Sequence, residues 1–172
     1  MIDARMIKRP PEIGREAAPF VIGLGPGFIA GENCHAVVET NRGHHLGRVI
    51  WDGQAEANTG IPGKVGEKQI ERVLRAPKDG VLNPRKQIGD ILQRGDVIAI
   101  VEDEKIVAPF DGVLRGLLRD QHPVTKGMKV GDLDPRNDPA YAYTVSDKSR
   151  SIGGGVLEAL LTQEEMRTKL WT

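Results

Sequence analysis

Along this 172-residue chain the apolar positions come in short, often β-branched runs, and glycine, proline or aspartate closes most of them. Runs of that length bounded by turn residues predict strands rather than helices. Phe20-Val21-Ile22 is the first clear run. Residues 35–40 and 46–51 form two more, which face each other as a hairpin across Asn41-Arg42-Gly43-His44-His45. Farther along, Ile88, Ile91-Leu92 and Val97–Val101 are separated by Gly89-Asp90 and Gly95-Asp96. Ala140–Val145 alternates small and large side chains and predicts another strand. The period changes only near the end, where apolar residues at 156, 157, 160 and 161 predict a helix over Val156–Met166.

The pattern also repeats. Ala76-Pro77-Lys78-Asp79-Gly80-Val81-Leu82 returns 32 residues later as Ala108-Pro109-Phe110-Asp111-Gly112-Val113-Leu114. Arg94-Gly95 and Lys126-Gly127 follow at the same offset, so the two copies share a register. Two copies are too few for a solenoid, but they can close on each other as a pseudo-two-fold pair. Proline donates nothing to a ladder, which puts Pro77 and Pro109 at strand starts or edges. Asp79-Gly80 and Asp111-Gly112 predict hairpin-type turns. The interlocked half-repeats resemble the barrel-sandwich hybrid of biotinyl and lipoyl carrier domains. In carriers a modifiable lysine stands at the tip of the hairpin between the halves. Here that link is Glu102-Asp103-Glu104-Lys105, and Lys105 reads as a solvated turn residue.

Three segments follow. Residues 1–19, rich in proline near their end, predict a linker or N-terminal extension. Residues 20–65 with 136–172 predict a small β-rich region with a C-terminal helix, and residues 66–135 the barrel-sandwich hybrid. The expected fold is therefore mainly β. Lysine plus arginine and aspartate plus glutamate number 24 each, so no net field calls for nucleic acid or an anionic membrane surface. Aromatics at 4% are too sparse for a base-stacking platform. No run is long enough to span a bilayer or serve as a signal peptide. The single Cys34 rules out an internal disulfide and fits a reducing cytoplasm.

Candidate chemistry clusters on either side of the repeat. Phe20-Val21-Ile22 runs into Gly23-Leu24-Gly25-Pro26-Gly27, and a strand entering a glycine-rich loop can bare N–H groups to a phosphate. As a dinucleotide fingerprint it is defective, because Phe28 stands where the third glycine belongs and a strand follows. A Walker loop is absent, since Gly63-Lys64 precedes Val65. Asn41, Arg42, His44 and Arg48 can meet an anion over the glycine loop. Lys148, Arg150 and the glycines at 153–155, just before the expected helix, form a second anion cradle that includes Gly153 and Gly154. Cys34, His35 and His44 offer metal-type donors without a recognised metal spacing. With Glu39 they also compose a minimal hydrolase or transferase set.

The strings Val21–Phe28, His35–His44, Leu46–Ile50, Asn58-Thr59-Gly60-Ile61-Pro62-Gly63, Glu71–Pro77, Ser146-Asp147-Lys148 and Ile152–Glu158 resemble the selenium-dependent molybdenum hydroxylase accessory proteins. The resemblance runs from about residue 1 to 161. It implies a role in maturation of molybdenum hydroxylases, with such an enzyme or its maturation factors as partner and self-association left open. Longer members of that family carry a nucleotide-binding-like region ahead of this segment. The first expectation is thus an accessory protein in which residues 23–27, 41–48 and 151–155 gather into one site for an anionic ligand, a nucleotide or a molybdopterin-type cofactor. That gathering requires Leu24 and Ile152 on one side of the molecule, with the 141–145 strand beside Val21 or Val37. An enzyme using Cys34, His35 or His44, and a pure interaction module, are the rival expectations.

Overall fold

The computed structural model describes residues 1–7, 9–60, 65, 67, 68 and 70–170. The Ile61–Lys64 stretch, on which the Walker comparison falls, lies outside them. The chain divides into two compact units, Met1–Gly60 with Val145–Thr172, and Ile61–Thr144.

The first unit is built on short strands. β1 (Ile2–Asp3), β2 (Ile22–Leu24), β4 (Ala36–Val38) and β5 (Val49–Ile50) form one sheet in the order β1-β2-β4-β5. β3 (Ile29–Ala30) pairs with β6 (Gly53–Gln54) in a two-stranded ribbon. β1, β2 and β4 run parallel, and β5 turns back antiparallel on β4, as the hairpin pattern anticipated. Successive side chains on a strand leave by opposite faces, so Val37 joins Val21, Phe28, Ala30 and Cys34 on one side. Ala36 and Val38 join Ile22, Leu24 and Val49 on the other. Both faces are covered, which is why Ala36-Val37-Val38 is apolar throughout.

The second unit is the barrel-sandwich hybrid. Its strands are β7 (Val73–Arg75), β8 (Gly80–Pro84), β9 (Ile91–Leu92), β10 (Val97–Val101), β11 (Glu104–Val107), β12 (Gly112–Leu117), β13 (His122–Val124) and β14 (Lys129–Asp134). They make two four-stranded sheets, β11-β10-β8-β13 and β7-β14-β12-β9, and no closed barrel forms among the described residues. Advancing by one repeat carries β7 to β11, β8 to β12, β9 to β13 and β10 to β14, so each sheet maps onto the other. Each sheet holds two strands of each half, and neither half can bury its apolar face alone. The core obeys the same relation, with Leu74 and Ile106, Leu82 and Leu114, Leu92 and Val124, and Ile98 and Val130 all buried together. So do the loops: Gly95 N–H donates to the Ala108 carbonyl and Gly127 N–H to the Ala76 carbonyl, both at 2.8 Å.

Two local expectations change in this unit. Asp79-Gly80 and Asp111-Gly112 do not close hairpins, because β7 and β8 belong to different sheets, as do β11 and β12. The aspartates instead tie the halves together: Asp79 accepts from the Lys126 N–H and Asp111 from the Arg94 N–H, both at 2.7 Å. Residues 140–145 are not a strand beside Val21 or Val37. Ala140–Tyr143 is a one-turn helix, α1, packed on β12. Asp138 accepts the Ala140 N–H (2.9 Å) and Pro139 precedes the first turn, a start signal that outweighs the alternation. Tyr143 then donates its hydroxyl to the Ile88 carbonyl at 2.8 Å, and the Arg136 guanidinium lies 3.9 Å from the Tyr141 ring centre. These contacts carry the second unit to Thr144, beyond the expected junction at 135.

The C-terminal helix starts earlier than its apolar period suggests. α2 spans Asp147–Leu161, and α3 follows over Glu164–Leu170. Ser146 caps α2 by accepting the Ser149 N–H (3.1 Å), and Asp147 complements the helix dipole in the first turn. Three interior glycines at 153–155 each cost roughly 1 kcal/mol relative to alanine. Packing offsets them: Ile152, Val156, Ala159 and Leu160 lie on the β2-β4-β5 face.

Candidate functional site

In the first unit, the turn between β4 and β5 is organised by one buried carboxylate. Glu39, 2% exposed, accepts the Thr40 and Asn41 N–H groups on Oε1 and the Glu56 N–H on Oε2, all at 2.7 Å. The first two bonds shape the turn that follows β4, and the third fastens its end to the segment after β6. The Asn41 side chain adds a 2.5 Å bond to Glu56 Oε2. Beyond this clamp the chain leaves an open cleft of about 480 Å³, lined by Glu39, His45, Arg48, Trp51, Asp52 and Glu56 with Ile50 among the apolar contributors. Arg48 Nη1 stands 3.3 Å from His45 Nδ1. Trp51, 44% exposed, stacks on Phe20 with ring centres 6.4 Å apart.

The three segments expected to gather do meet. Leu24 and Ile152 belong to the same apolar cluster, and Gly47 packs against the Ser151 carbonyl. What brings them together is close packing, and the glycines are consumed by it. Gly23 lies inside β2, beneath the Phe28 ring. Gly25 has φ +77° and donates its N–H to the Val38 carbonyl at 2.9 Å, with the Thr40 hydroxyl where a Cβ would stand. Gly27 is backed by the Arg9 main chain, and its carbonyl accepts from Asn33 Nδ2 (3.2 Å). The loop is thus a packed turn rather than an anion cradle.

The second cradle is corrected for a different reason. Gly153 and Gly154 lie in the middle of α2, where N–H groups serve the helix, and not ahead of its first turn. Lys148 is in that first turn. Arg42 forks onto the Asp147 carboxylate at 2.6 and 2.9 Å, which commits it to tying the turn to α2. His44 is exposed and meets His45 edge to face, ring centres 5.1 Å apart.

Cys34, His35 and His44 do not converge. Cys34 is fully buried; desolvation pushes its thiol pKa up, the reverse of what an activated nucleophile needs. His35 Nδ1 accepts the Val21 N–H at 3.0 Å, and desolvation together with the charge of Arg15 lowers its pKa. Among the described residues no three His, Cys, Asp or Glu side chains are grouped to hold a metal. No helix among them is long and apolar enough to cross a membrane.

Sequence reasoning named Arg48 as an anion partner but missed Trp51, Asp52 and Glu56. The available signal was Trp51 at the end of the strand that follows a basic turn. In the second unit, the hairpin between β10 and β11 turns through Glu102, at φ +55°, and Asp103. Asp103 pairs with Lys78 at 2.7 Å, and Lys105 lies within β11.

A mainly β protein with a barrel-sandwich hybrid and a separate cleft-bearing unit is what these features define. No known family model matches the chain. It is 49% identical over 161 residues to the uncharacterized protein YqeB of Escherichia coli (strain K12), and the match takes in 94% of this chain and 30% of that protein. The chain thus spans less than a third of the length of that relative. Among solved structures, the crystal structure of an aspartoacylase family protein from Mesorhizobium loti superposes with a TM-score of 0.34 at 21% identity, over 37% of this chain and 22% of that one. A likeness that slight supports no statement about activity.

Proposed function

We propose that this chain is part of an accessory protein for maturation of selenium-dependent molybdenum hydroxylases, acting in the cytoplasm on such an enzyme or its maturation factors. We further propose that it holds an anionic ligand in the cleft beside Arg48 and Trp51. The pathway rests on the ordered motif strings from Val21–Phe28 to Ile152–Glu158. The ligand reading rests on the composition of the cleft. Arg48 and His45 offer adjacent cationic or donor groups to an anion. The Trp51 ring offers a stacking face, while Asp52 and Glu56 can accept N–H groups from a donor-rich ring edge. A nucleotide or a molybdopterin-type cofactor has both an anionic end and such an edge. The volume lies in the range of small-molecule sites, roughly 300–1,000 Å³.

The test begins with native mass spectrometry of whatever remains bound on purification. Calorimetric titration with guanosine triphosphate follows, on wild type, Arg48→Ala and Arg42→Ala. Arg48→Ala is expected to weaken binding by roughly tenfold or more, the worth of one hydrogen bond to a charged group. Arg42→Ala, whose side chain is held by Asp147, is expected to change it little. Equal affinity for wild type and Arg48→Ala, or no ligand found by either method, overturns the assignment to this cleft.

A further inference from the structure

The second unit carries a groove of about 260 Å³ that the proposed ligand site does not use. It opens between β7 and β11, each at the end of its own sheet with no further ladder partner among the described residues. The lining follows the 32-residue repeat: Val73–Arg75 of β7 match Lys105–Val107 of β11, and Pro77 matches Pro109. The groove therefore straddles the pseudo-two-fold relation, with a strand edge that lacks a ladder partner on either side, although the Val73 N–H of β7 donates to the Ile70 carbonyl at 3.1 Å.

Edge strands present rows of N–H and C=O groups that accept another strand, and folded proteins usually blunt them with charge. Here Glu104 and Lys105 supply that charge on β11, Lys105 on the groove, while Val107 stays 44% exposed beside it. The buried side chains of Leu74 and Ile106 make an apolar floor. In the lining, Lys105 and Arg75, whose Nη1 also donates to the Gly127 carbonyl at 2.9 Å, set two cations against the single carboxylate of Glu71. A lysine repels indiscriminate pairing but favours a strand that brings a carboxylate to it.

We propose that this groove receives an extended, acidic segment of a partner protein. The segment adds to the outer edge of β11, with alternate apolar side chains over Leu74 and Ile106 and carboxylates toward Lys105 and Arg75. Main-chain bonds would supply affinity and the cations the choice of partner.

Titration of the ¹⁵N-labelled full chain with acetyl-Val-Glu-Val-Glu-Val-amide, and with its lysine counterpart, tests this. The acidic peptide is expected to shift the amides of Glu104–Val107 and Val73–Arg75 and to bind at least about tenfold tighter than the lysine peptide. Lys105→Glu, an exposed change, is expected to reverse that order. Three results overturn the proposal: equal response to both peptides, shifts confined to other residues, or concentration-dependent shifts at β11 without peptide. The last would make a second copy of this chain the occupant.

Discussion

Gly155 of α2 lies directly against the carbonyl oxygen of Gly47, so that no side chain fits between the helix and the 41–48 turn. A Cβ at 155 would also stand 2.9 Å from Val38 Cγ1. Backbone rather than flexible side chain blocks the space, and relief requires the helix to move. Gly155→Ala is therefore expected to destabilise the first unit by about 1–3 kcal/mol. Gly154, one residue earlier, faces open space. There the same change is expected to stabilise by about 0.5–1 kcal/mol, through helix propensity alone. Urea melts of both variants check the pair, and a neutral Gly155→Ala would contradict the close seating of α2.

The clamp at Glu39 makes a second prediction. Glutamine keeps the shape but retains one acceptor oxygen, and its amide nitrogen would face an N–H donor. Glu39→Gln is expected to cost about 1–2 kcal/mol, because it leaves the part-buried Glu56 N–H unmatched. Hydrogen exchange should localise the damage, with faster exchange at Thr40, Asn41 and Glu56 and no change in the second unit. Uniform acceleration across the chain would count against a local clamp.

Asp79 and Asp111 hold equivalent places in the two halves of the hybrid and accept equivalent N–H groups at the same distance. Replacing either with alanine removes one side chain to main chain bond and is expected to cost about 1 kcal/mol. The informative quantity is the difference between the two, expected to stay within about 0.5 kcal/mol. A large inequality would mean that the geometric repeat is not an energetic one.

His35 makes stability depend on pH. Burial and Arg15 hold its pKa below the ordinary 6.5, and its Nδ1 must stay unprotonated to accept the Val21 N–H. Between the folded value and about 6.5 the unfolded chain binds more protons than the native one, so stability rises with pH through that window. It is complete above the window and declines as pH falls through it. Denaturation midpoints across mildly acidic pH should show this slope in the wild type and a flatter one in His35→Gln.

Much of the second unit was legible in the chain. The seven-residue repeat, the β-branched runs between its copies and the fixed offset of Arg94-Gly95 and Lys126-Gly127 specify two interlocking halves. The first unit was only partly so. Its strands could be read from Phe20–Ile22, 35–40 and 46–51, whereas the meeting of Leu24 with Ile152, expected through a 141–145 strand that does not form, comes instead from α2 packing on the sheet. The mistaken readings share a cause. Glycines at 23–27 and 153–155 carry the same local signal whether they bare the backbone to a ligand or let another segment approach. Ala140–Tyr143 could be a strand by alternation or a helix by its Asp138-Pro139 start.

Sequence alone determined most of the strands, with residues 140–143 the exception, and the duplicated hybrid set between two parts of a β-rich unit, because these depend on local propensity and on spacing. Tertiary structure decided which polar groups stay available. Arg42 is taken up by Asp147 and the Gly25 N–H by Val38, while Arg48 and Trp51 face the cleft. That allocation follows from which neighbours arrive across distances of many residues, and no local pattern records it.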